Sequence, residues 1–143
     1  MTTILQPTSS TRTGTVRRWS GRIGAVAAAG LALMHLVVNA IGFVLEGGSH
    51  PVMYVLWGLL PSVVAGVIAV AAWRHAGGRL TGGAARAAQV IVFVGALLFA
   101  FLITHQLVVT GVGVLHPIGP GLWSLVAAPA LLISAVAPRR APN

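Results

Sequence analysis

Residues 23–45 read IGAVAAAGLALMHLVVNAIGFVL, and the reading of this stretch decides the fold. It holds about 23 residues without a charge. At about 1.5 Å per residue, a helix of that length crosses a hydrocarbon core roughly 30 Å thick. His35 and Asn39 sit inside it four positions apart and share a helix face. The line through them reads Gly24, Ala28, Ala32, His35, Asn39, Gly42, Glu46. Small and polar side chains collect on that line, and the bulky Leu, Val, Ile and Phe mostly point elsewhere. In lipid, such a face packs against other helices. The first span is therefore expected to carry a packing face with an imidazole in it.

Composition points the same way. The chain has 143 residues, 57% apolar and only 7% charged, against about 25% charged in soluble domains. The formal net charge of +8 comes entirely from arginine. These arginines fall in short clusters between apolar spans, where membrane topology accounts for them, so nucleic acid is not an expected partner. The absence of cysteine removes disulfides, thiolate nucleophiles and iron–sulfur ligation. Glu46 is the only carboxylate side chain. Paired-carboxylate catalysis and Ser-His-Asp triads are excluded with it. No nucleophile–base set remains, so an enzyme is not the expected class.

Working outward, residues 1–22 are rich in Ser, Thr and Arg and lack an apolar pattern. They read as a disordered basic cytoplasmic tail. A cleaved signal peptide is the rival reading, but the apolar run that follows exceeds a typical signal core. Residues 23–137 form the expected transmembrane domain, with spans near 23–45, 52–73, 88–112 and 118–137, and 138–143 form a second cytoplasmic tail. The second span has its own small stripe, Tyr54, Gly58, Ser62, Ala65, Ala69, Ala72. Pro61 should kink it, with Ser62 among the groups that re-satisfy the freed carbonyl. The expected architecture is an all-α, four-helix membrane bundle.

Arg12, Arg17, Arg18 and Arg22 precede span one, Arg74, Arg79 and Arg86 lie between spans two and three, and Arg139 and Arg140 follow span four. The positive-inside rule then puts both termini in the cytoplasm of a plasma-membrane protein and both His-Pro turns outside. Those turns echo each other. His50 to Trp57 reads HPVMYVLW, and His116 to Trp123 reads HPIGPGLW. A tandem pair of helical hairpins, related by an axis along the membrane normal, would make His35 and His105 equivalent.

Two facing imidazoles in a four-helix core suffice as axial ligands of a b-type haem, with Asn39 and Gln106 as hydrogen-bonding support. A shallower site for zinc or copper would combine Glu46, His50 and His116. His75 reads as a solvated loop residue. Two alternatives come from other classes. One is a non-catalytic accessory or scaffold subunit of a larger membrane complex, or a homodimer, docking through the small-residue stripes. The other is a small metal-ion or solute transporter, weakened by the position of Glu46 at the end of a span. The lipid bilayer is a partner in every reading.

Overall fold

The computed structural model describes residues 9–109 and 120–138. Within them four helices follow one another: α1 (Ser9–Leu45), α2 (Pro51–Gly77), α3 (Gly82–Val109) and α4 (Pro120–Val136). From Gly14 to Leu45, α1 has 32 residues, while α2 has 27 and α3 has 28, and all three are long and apolar enough to cross a membrane. The helix α4 is apolar but shorter, with 17 residues or roughly 26 Å.

The segment expected to be a disordered tail is helical from Ser9 onward, which corrects that reading for residues 9–22. The reason is tertiary. Gly21 is buried, and a Cβ there would lie 2.7 Å from Ser134 Oγ and 2.8 Å from Ala76 Cβ. The chain is thus gripped by α2 and α4 before the apolar run begins. Residues 1–8 and 139–143 of the expected tails, the last three residues of the expected third span, the second His-Pro turn and the first two residues of the expected fourth span lie outside the described residues.

The end of α1 shows why EGGS makes a tight turn. Gly48 N–H donates to the Phe43 carbonyl at 2.9 Å and Gly47 N–H to the Val44 carbonyl at 3.1 Å. This is a Schellman stop, and it needs the left-handed φ of +64° that Gly47 supplies. Pro51 then opens α2 at a position where its missing N–H costs nothing. Pro61 is accommodated by a π-helical turn, Val55–Leu59, immediately before it. Ser62 Oγ donates to the Gly58 carbonyl at 2.7 Å. That is not the Trp57 carbonyl, which Pro61 leaves without its i−4 donor.

The helices run up and down in sequence, and their neighbours form a ring: α1 packs on α2 and α4, and α3 on α2 and α4. Among the described residues α1 and α3 never approach within 8 Å between Cα atoms, so they are the long diagonal. The core is built mostly of small side chains, with Leu31, Ile68, Val92, Phe99 and Leu131 as the large buried apolar ones. Small residues let the backbones close up, which is how helices associate where lipid provides no hydrophobic drive. Most of the α2 stripe and the start of the α1 stripe read from the sequence lie here. On α2, Gly58, Ser62, Ala65, Ala69 and Ala72 are all buried.

The α1–α4 register limits the core. Gly24 meets Leu131 and Gly30 meets the Trp123 ring. The first turn of α4 is therefore level with about residue 33 of α1, which continues for roughly another 18 Å. Beyond that level α1 and α2 stay paired, with the Phe43 and Tyr54 rings 5.0 Å apart. Along α3, no residue from Ala100 to Val109 is buried.

Candidate functional site

The α1 stripe grades from buried to open as it leaves the core. Gly24 and Ala28 are buried, Ala32, His35, Asn39 and Gly42 are half-buried, and Glu46 is exposed. Asn39 faces α2, because a Cβ on Gly58 would fall 2.6 Å from its own Cβ. His35 lies one turn earlier on nearly the same face. The Asn39 side chain donates to the His35 carbonyl at 2.8 Å, so its amide is committed to its own helix rather than to the imidazole.

His105 is exposed on α3, its ring 6.1 Å from that of exposed Phe101. Thr104 turns back onto its helix, donating to the Ala100 carbonyl at 3.0 Å, as hydroxyls inside helices commonly do. Gln106 is half-buried. The two histidines thus sit on the diagonal helices, one partly covered and the other on the outside of the bundle. Neither imidazole has a hydrogen-bond partner among the described residues. The Trp residues of the two His-Pro echoes also differ: Trp57 is exposed, whereas Trp123 packs against Gly30.

Glu46 and His50 are both exposed beside the first turn, and His116 lies outside the described residues. Among the described residues no three His, Cys, Asp or Glu side chains cluster as a metal site would require.

The opposite end of the bundle holds two features that sequence reasoning missed. His75 is buried rather than solvated, at 5% exposure. Its Nε2 donates to the Ser134 carbonyl, and Gln89 Nε2 donates to the Ala135 carbonyl at 2.8 Å. Both carbonyls belong to the last turn of α4, where backbone acceptors lack partners within the helix. Continuing the α2 stripe three residues past Ala72 reaches His75, so the signal was present in the spacing. The second feature is a cavity of about 840 Å³ lined by Arg18, Arg22, Arg74 and Arg79 around Trp73. The Arg22 guanidinium stands 5.4 Å from the Trp73 ring and 6.0 Å from the Trp19 ring, within cation–π range.

These features define a class: a multi-pass membrane protein built as a four-helix bundle, with a packed arginine-rich end and an open end. No protein family matches the chain, and neither a curated protein nor a solved structure does.

Proposed function

We propose that this chain is a non-catalytic subunit of a larger membrane assembly, docking through the open half of the bundle. The observation that carries this reading is His105, exposed on α3 with no hydrogen-bond partner among the described residues. Ionisable side chains at membrane depth almost always face protein or a water-filled cavity. A neighbouring helix laid along residues 100–109 of α3 would cover His105, and the partly open His35 stripe offers a second contact of the small and polar kind.

Both termini lie in the cytoplasm of a plasma membrane, because every arginine precedes span one, lies between spans two and three, or follows span four. The tandem-hairpin repeat rests on the HP-to-LW echo and fits the ring, in which α1 and α3 are diagonal.

The test is photo-crosslinking in native membranes, with a photoreactive residue at position 105 and, as a control, at position 70 near the arginine end. A discrete protein adduct at 105 alone supports docking, and its mass distinguishes a second copy from another subunit. Lipid-sized adducts alone at 105 overturn it.

A second reading is a b-type haem held between chains, favoured by the His105 imidazole standing open beside Phe101. Its signature is a Soret band with sharp reduced α and β bands in purified protein from haem-supplied cells, lost in His105→Ala. A featureless spectrum removes it.

A further inference from the structure

Three cavities meet at one side chain, Trp73. The first is the chamber of four arginines. The second is an apolar groove of about 590 Å³ that runs along α1 from Trp19 past Val26 to Trp123. The third is an apolar furrow of about 260 Å³ between α1 and α2, lined by Ala25, Val26, Ala69 and Val70. Arg22 belongs to the chamber and the long groove, and Arg74 to the chamber and the furrow. Each apolar groove therefore opens beside a guanidinium.

The chamber has no internal counter-charge. Glu46, the one acidic side chain of the chain, lies beyond the far end of α1. Four guanidinium groups brought together without a carboxylate call for an external anion, and planar guanidinium forks suit phosphate oxygens. From Trp19 to the level of Gly30 the long groove spans roughly 16 Å along the helix axis, the scale of an acyl chain within one leaflet.

We propose that this end of the bundle binds one anionic glycerophospholipid, its phosphate among Arg18, Arg22, Arg74 and Arg79 and its two acyl chains in the two grooves that meet at Trp73. A free phosphate would leave both grooves unused. A second copy would bring four more arginines against these four. An acidic soluble protein would use the chamber but not the grooves, which run into the membrane-spanning part of α1. The site is independent of the docking face around His105, which lies at the other end of α3.

The test uses the full chain in nanodiscs containing equal phosphatidylglycerol and phosphatidylcholine, with retained lipid read by native mass spectrometry. The expected result is a single phosphatidylglycerol adduct, preferred about twentyfold or more, at roughly a factor of five for each of two headgroup arginines. Arg22→Gln with Arg74→Gln brings the preference near unity, whereas Arg86→Gln, outside the chamber, preserves it. Should the double variant not fold, either single substitution, Arg22→Gln or Arg74→Gln, lowers the preference about fivefold. Val26→Trp keeps every arginine but fills both grooves, and it reduces retention of the adduct. Equal retention of the two lipids overturns the proposal, as does displacement of the adduct by inorganic phosphate alone. Equal loss in Arg86→Gln and the double variant also overturns it, as does a dimer mass without lipid.

Discussion

His75 and Ser134, fifty-nine residues apart, meet where the Nε2 of one donates to the carbonyl of the other across 3.2 Å. Gln89 makes the matching bond from α3 to the next carbonyl, Ala135. The C-terminus of the shortest helix is thus capped by one side chain from its neighbour α3 and one from α2, which lies diagonally across the ring. Gly21 of α1 closes the remaining side against Ser134 and Ala76. All four helices are tied at one level.

Removing either donor leaves a backbone acceptor in the last turn of α4 without it. His75→Ala is expected to destabilise the bundle by about 1–3 kcal/mol and Gln89→Ala by a similar or smaller amount. Thermal melts in detergent check both. The double variant should depart from additivity, since the two bonds hold the same turn. An unchanged melting temperature in His75→Ala would show that the bond contributes nothing.

Glycine positions separate close packing from mere composition. A Cβ at Gly58 would stand 2.6 Å from Asn39 Cβ, so α1 and α2 must move apart to admit it. Gly58→Ala should cost about 1–3 kcal/mol. At Gly66, on the same helix, a Cβ meets nothing within 4 Å. Gly66→Ala is expected to be neutral or to stabilise by about 0.5–1 kcal/mol, through helix propensity alone. Resistance to unfolding in mixed detergent–SDS micelles ranks the two.

The small-residue stripes of α1 and α2 were legible because helical periodicity and the lipid preference for close backbones act locally. The turn at Gly47 was legible for the same reason. The helical state of residues 9–22 was not, since the contacts of Gly21 with α2 and α4 come from residues more than fifty positions away. The exposure of His105 was equally hidden. Spacing fixes which residues share a face of a helix, but which face turns inward depends on how the neighbouring helices pack. Arg18 and Arg22 share a face only once that segment is known to be helical, so the arginine chamber emerged from the fold.

Topology can be tested without background, because the chain has no cysteine of its own. Single substitutions Ser49→Cys and Thr81→Cys place a thiol at exposed positions in two successive connections between helices. With the arginines inside, a membrane-impermeant maleimide should label Ser49→Cys in intact cells and Thr81→Cys only after lysis. The reverse pattern would invert the orientation. It would also move the arginine chamber to the other leaflet while leaving its chemistry unchanged.

Some buried polar atoms contribute nothing that substitution can remove. Ser124 and Ser134 are fully buried, and neither hydroxyl has a partner among the described residues. The same holds for the indole N–H of Trp123. An unpartnered polar group carries a desolvation cost with no bond to offset it. Ser124→Ala is therefore expected to leave stability unchanged or raise it by up to about 1 kcal/mol. Gly30→Val should do the opposite, because its Cβ would stand 2.5 Å from the Trp123 ring. Melting curves of the two variants side by side decide the point. A clear loss in Ser124→Ala would mean that its hydroxyl is bonded in the membrane, to water or to the segment that precedes α4.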